Sequence, residues 1–92
     1  IRTHPETGQK SLYLNLSHTS HFSGMTAQES KPLINYLCKH MTRPEFTCRF
    51  RWSEGSLAIW DNRTTLHHAI NDYPNQRRHM LRITLAGDRP YL

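Results

Sequence analysis

"FTCRFRWSEGSLAIW", Phe46 to Trp60, is the stretch that decides the fold. Phe46, Cys48, Phe50 and Trp52 alternate with Thr47, Arg49 and Arg51. Because side chains on an extended chain point to opposite faces with period two, this pattern predicts a strand with one apolar face. "SEG", Ser53 to Gly55, supplies turn residues, and Leu57 to Trp60 reads as the returning strand. The order strand, turn, strand favours antiparallel pairing. Further on, Arg78 to Leu85 puts Arg78, Met80, Arg82 and Thr84 on one face and His79, Leu81, Ile83 and Leu85 on the other. At the usual strand rise the two arginines of that face stand roughly 13 Å apart.

Upstream, "HPETG", His4 to Gly8, combines a fixed φ at Pro5 with a permissive Gly8, the chemistry of a tight turn, and Leu12, Leu14 and Leu16 then alternate as a strand would. One helix is expected. Leu33, Ile34, Leu37, Cys38 and Met41 share a face at helical spacing, and Pro44 lies just past the stop. Its start has two candidates. Thr26 with Glu29 makes a capping box, whereas Ser30 as N-cap would put Pro32 in the first turn. The class is β-rich (α+β), with one amphipathic helix.

Leu, Ile and Phe supply eighteen of the 92 residues and Val none, which is thin for a self-sufficient core. Ile1-Arg2-Thr3 reads like the inside of a strand, with no initiator Met, so the chain is expected to be a portion of a larger domain. Twelve Lys+Arg against seven Asp+Glu give a formal charge of +5, which favours anionic partners. Nine of those twelve are Arg, spread over positions 2, 43, 49, 51, 63, 77, 78, 82 and 89. Without a basic helix, zinc-finger spacing or an aromatic-flanked basic run, this weighs against nucleic acid. Cys38 and Cys48 stand ten apart with no CxxC, and both are expected to be buried free thiols. With no apolar run of membrane-spanning length and no visible signal peptide, the expectation is a cytoplasmic protein with no membrane partner; homo-oligomerisation stays open.

"WDNRTTLHHAINDYPNQRRHMLR", Trp60 to Arg82, poses the functional question, because His67 is followed eleven and fifteen residues later by Arg78 and Arg82. For an arbitrary β domain, the arginine face would lie in water. The alternative is a cavity in which guanidinium forks grip a carboxylate or sulfonate.

Six stretches choose between these readings: "HPETG", "LNLSHT", "RPEFTCRFRW", "LAIWDNRTTLHHA", "DYPNQRRHMLR" and "GDRPY". Their order and spacing resemble the C-terminal part of the taurine dioxygenase and 2,4-dichlorophenoxyacetate dioxygenase family of iron(II)- and 2-oxoglutarate-dependent oxygenases. The resemblance covers nearly the whole chain. It implies that residues 1–92 form the C-terminal portion of a single double-stranded β-helix, or jelly-roll, whose upstream part is missing. It also implies Fe(II) as cofactor, 2-oxoglutarate as co-substrate, and O2 with a small anionic organic molecule as the other substrates.

Residue by residue, the resemblance makes His67 the distal metal ligand, Arg78 the partner of a 2-oxoglutarate carboxylate, and Arg82 the holder of the substrate anion. A site with two histidines and one carboxylate leaves three positions for a bidentate 2-oxo acid and dioxygen. Adjacent residues on extended chain point oppositely, so only one of His67 and His68 can face a metal. Asp61 and Asn62 are expected to fix their turn by local bonding, and Trp60 to be core.

Two departures stand out. The family's His-x-Asp or His-x-Glu ligand pair lies upstream of the matching region; His4-Pro5-Glu6 has that spacing but coincides with the family's turn. These residues should therefore lack a complete iron site. At His18 the taurine enzymes carry a Phe, and "HTSH", His18 to His21, resembles the phenoxyacetate branch, so His18 joins the substrate-binding candidates beside a loop histidine in solvent. The expected activity is hydroxylation of a sulfonate, sulfate ester or aryloxy acid, with release of succinate and carbon dioxide. The rival is a non-catalytic basic β or jelly-roll module that binds an anion or nucleic acid.

Overall fold

The computed structural model describes residues 1–92. Two short strands, β1 (Arg2–Thr3) and β2 (Lys10–Ser11), precede helix α1 (Ala27–Met41) and a single 3-10 turn at Pro44–Phe46. β1 and β2 pair antiparallel, with Arg2 opposite Ser11 and Thr3 opposite Lys10. The expected "HPETG" turn closes this hairpin: the Gly8 N–H donates to the His4 carbonyl at 2.9 Å, and Gly8 takes φ +70, where a Cβ would be strained.

Thr26, rather than Ser30, caps α1. The Thr26 hydroxyl accepts from the Glu29 N–H at 3.3 Å, while the Glu29 carboxylate accepts from the Thr26 N–H at 2.8 Å and from its hydroxyl at 2.7 Å. These bonds hold the Glu29 carboxyl below its ordinary value, the Thr26 side chain contributing most. Ser30 is fully buried instead, and its hydroxyl accepts from the Phe22 N–H at 3.0 Å, tying the incoming loop to the helix. Ile34 and Cys38 are buried with Leu14, and Phe22, Leu37 and Met41 pack around them. The predicted apolar face is thus the buried one, except that Leu33 at its edge is exposed.

From Thr47 onward there is no helix or strand. The stretches expected as strands, 12–16, 46–52, 57–60 and 78–85, form no ladder, although the "SEG" turn is present, with Gly55 at φ +77 and the Ser56 N–H donating to the Ser53 carbonyl at 3.1 Å. A strand is stable only when its backbone groups are paired and one face is covered. Neither condition holds here. Leu81, Ile83 and Leu85 are 88%, 90% and 86% exposed, and Phe50 and Trp52 pack edge-to-face on each other, ring centroids 4.9 Å apart, rather than into a core. Cys48 lies in this region and is exposed, contrary to expectation; Cys38, on the packed face of α1, is the buried thiol. No helix is long and apolar enough to cross a membrane.

The dimensions agree with an uncovered core. The radius of gyration is 16.0 Å, against about 12 Å for a compact domain of this length. Only six of the 92 residues are buried, and the 26 backbone hydrogen bonds compare with about sixty in an ordinary domain of this size. The isolated 92 residues should therefore melt over a broad, non-cooperative range when followed by circular dichroism. A sharp, reversible transition would show that this chain covers its own core.

Candidate functional site

The polar centre of the molecule is built where three remote segments meet. In the turn after Trp60, the Asp61 carbonyl accepts from the N–H groups of Thr64 and Thr65 at 3.2 and 2.9 Å. Its side chain folds back as an Asx turn, Oδ1 accepting from the Arg63 N–H at 2.8 Å. The Arg63 guanidinium then grips the same carboxylate: Nε reaches Oδ1 and Oδ2 at 2.9 and 3.0 Å, and Nη2 reaches Oδ2 at 2.7 Å. Arg63 Nη1 extends to Glu6 Oε1 at 3.1 Å and lies 3.8 Å from Asp88 Oδ2.

The second holder of Asp61 is His4, 7% exposed, whose Nε2 stands 3.0 Å from Asp61 Oδ2. The other ring nitrogen settles the tautomer. Nδ1 accepts from the Glu6 and Thr7 N–H groups, both at 3.2 Å, so it carries no proton and Nε2–H donates to the carboxylate. Both nitrogens of His4 are thereby occupied, which leaves its ring without a free lone pair for a metal. The third segment, "GDRPY", runs beside β1: the Thr3 N–H donates to the Tyr91 carbonyl at 2.9 Å and Arg2 Nη2 to the Asp88 carbonyl at 3.3 Å. Arg2 is 4% exposed, and its guanidinium lies 4.7 Å above the Tyr13 ring centroid.

The electrostatics follow from this geometry. The Arg63 guanidinium, then the His4 ring and the Arg63 N–H, hold the Asp61 carboxyl far below the usual carboxylate range. Arg63 is raised in return, chiefly by Asp61.

Each candidate site residue is exposed: His18, His67, Arg78 and Arg82. The structure joins none of them to another by a hydrogen bond or ion pair. His67 lies against Trp60, ring centroids 5.1 Å apart at 43°, and Trp60 is half-buried, with its Nε1–H donating to Asn62 Oδ1 at 2.8 Å. Arg78 lies 5.6 Å from the Tyr73 ring centroid. His18 sits on the turn in which its own N–H and that of Thr19 donate to the Asn15 carbonyl at 3.2 and 2.8 Å. No three His, Cys, Asp or Glu side chains come together to hold a metal.

Sequence reasoning placed Asp61 in its turn but missed its partners. The Asx pattern is local and legible, whereas His4 lies 57 residues away and only tertiary structure brings it in. The acid and base in each of "HPETG", "WDNR" and "GDR" were the available signal.

Residues 1–84 match the family described as "Taurine catabolism dioxygenase TauD, TfdA family". The chain is 49% identical over 88 residues to an alkylsulfatase of Acinetobacter baylyi, covering 96% of this chain and 27% of that protein. It is 42% identical over 90 residues to an alpha-ketoglutarate-dependent sulfate ester dioxygenase of Pseudomonas putida, covering 98% and 30%. An alpha-ketoglutarate-dependent 2,4-dichlorophenoxyacetate dioxygenase of a Burkholderia species is 38% identical over 89 residues, covering 97% and 30%. No solved structure matches the chain. The class is that of 2-oxoglutarate-dependent dioxygenases, and the chain belongs to the TauD/TfdA family within it. It spans less than a third of the length of these relatives.

Because Asp61 is depressed in the folded state, its contribution to stability is complete above the ordinary carboxyl value of about 3.9 and is lost as pH falls through the lower folded value. In the full-length protein, the Asp61 carboxyl carbon should titrate below about 3.9 by NMR, and Arg63→Gln should move that midpoint upward. An ordinary midpoint in the parent protein would mean that the guanidinium does not hold the carboxylate.

Proposed function

We propose that this chain is the C-terminal portion of a single jelly-roll oxygenase domain that uses Fe(II) and 2-oxoglutarate to hydroxylate a small anionic substrate. One observation carries the reading: the family match covers residues 1–84, and with them His67, Arg78 and Arg82, to which the family resemblance gives the roles of metal ligand and anion holders. His67 supplies one imidazole to the iron, and two ligands come from elsewhere in the domain. Bound iron would supply the activation of dioxygen.

The chain's own residues bind and orient. Arg78 offers a planar fork to the far carboxylate of 2-oxoglutarate, and Arg82, on the same face of an extended stretch, offers a second to the substrate anion. In the closed domain, the apolar face of Leu81, Ile83 and Leu85 would pack against the sheets and keep water from the arginines. Of the two adjacent histidines, His67 is the one that lies against Trp60.

A sulfate ester is the first candidate substrate, since the relatives at 49% and 42% identity are an alkylsulfatase and a sulfate ester dioxygenase. Hydroxylation at the carbon bearing the ester oxygen gives an adduct that expels sulfate and leaves an aldehyde. The second oxygen atom enters succinate as 2-oxoglutarate loses carbon dioxide. Sulfonates and aryloxy acids are the remaining candidates, and on this reading His18, on its exposed turn, touches their polar groups. A non-catalytic anion-binding module is the second reading, favoured by the lack of a three-ligand cluster within these residues. Aerobic succinate formation from 2-oxoglutarate by the full-length protein with Fe(II) separates the two.

In that protein, His67→Ala should abolish iron-dependent succinate formation while His68→Ala largely preserves it. Equal loss from both substitutions would remove the ligand assignment.

The arginines should also separate. Arg78→Ala leaves a buried carboxylate unpaired, at a cost of about 2–5 kcal/mol, so the KM for 2-oxoglutarate should rise roughly 30-fold to several thousand-fold with any substrate. Arg82→Ala should raise the KM of the anionic substrate while uncoupled 2-oxoglutarate decay survives. An unchanged 2-oxoglutarate KM in Arg78→Ala would return that face to solvent.

A further inference from the structure

We propose that His4, Asp61 and Arg63 form a positioning clamp for His67, acting through Trp60; this rests on the reading of His67 as a metal ligand. Asp61 is the only residue between Trp60 and Asn62, whose side chains are bonded to each other across it. Its own carbonyl holds the N–H groups of Thr64 and Thr65, three and two residues before His67. Rotation of the Asp61 backbone would therefore swing both the indole and the root of the loop that ends at His67. Both carboxylate oxygens are engaged, by Arg63 and by the buried His4 ring, so that rotation is resisted from two directions. His67 itself is exposed, and the face of Trp60 is the one aromatic surface against it. With this clamp in place, the imidazole starts near one orientation rather than searching many, which lowers the entropy lost when it binds a metal.

His4 has two separable duties, and amide replacements divide them. In His4→Asn, the shorter side chain keeps an acceptor near the place of Nδ1 for the Glu6 and Thr7 N–H groups but cannot reach Asp61. In His4→Gln, the longer amide places an N–H donor near the place of Nε2 but leaves the turn without its acceptor. The comparison is made in full-length protein with two readouts. One is the upfield shift that the Trp60 ring imposes on the His67 ring protons in metal-free protein; the other is anaerobic Fe(II) affinity with 2-oxoglutarate present, measured by chelator competition.

His4→Asn should lose most of the upfield shift and weaken Fe(II) binding about tenfold, in the range of losses seen when the groups that orient a metal ligand are removed. His4→Gln should keep the shift and stay within about twofold of the parent affinity. The reverse order, or two variants indistinguishable from the parent, overturns the clamp and leaves His4 as a turn residue. Should either variant fail to fold by circular dichroism, Arg63→Lys takes its place, keeping the charge while losing the fork. It should shift the His67 protons and weaken Fe(II) binding in the same direction, and parent-like values for both would overturn the proposal. His67→Ala separates the two layers of the argument: unchanged Fe(II) affinity in that variant refutes the ligand reading, while the ring-proton shifts of the other variants still decide whether the clamp orients His67.

Discussion

The Asp61 carboxylate, shared between the Arg63 fork and the His4 Nε2–H, is the constraint on which the second half of the chain depends. Beyond Thr47 no ladder or helix orders the backbone, so a side-chain interaction does the work that a sheet does elsewhere. Charge-assisted bonds are the strong kind, and here they come from two sides onto one half-buried group. The same carboxylate selects the His4 tautomer, which in turn lets Nδ1 serve the "HPETG" turn. A contact between residues 57 apart thus reinforces a turn of five residues.

The helical half is held differently. α1 is stabilised locally by its capping box and by the Ser30 hydroxyl that ties down Phe22, and it packs on a cluster no larger than Leu14, Ile34, Cys38 and three half-buried neighbours. Between clamp and helix lies little shared core. Membership of the TauD/TfdA family gives this asymmetry a physical sense, because the chain spans less than a third of its relatives' length. Apolar faces such as Leu81, Ile83 and Leu85 are patterned for burial, yet nothing within residues 1–92 covers them.

On the proposed reading, the same division runs through the chemistry. One metal ligand and two anion-holding arginines lie on this piece, and the remaining ligands on another. Such a site assembles only when the sheets close, so the loop carrying His67 needs some order of its own before closure. The clamp supplies it from residues that never touch the metal.

Local chemistry was legible in the residues themselves. The "HPETG" hairpin turn, the "SEG" turn, the Asx turn at Asp61 and the packed face of α1 each depend on neighbours within a few positions, and each is present. Between Thr26 and Ser30 the residues left the helix start open, and burial of Ser30 against the Phe22 loop decided it. Family membership could be read from the order of six motifs, and with it the candidate roles of His67, Arg78 and Arg82. Period-two patterning at 46–52 and 78–85 encodes which side chains share a face, but pairing and burial need a partner surface, and without one the pattern yields no strand. Tertiary structure alone decided that His4, Glu6, Asp61, Arg63 and Asp88 converge, since a salt-bridge network between distant turns leaves no periodic trace in the chain that folds to make it.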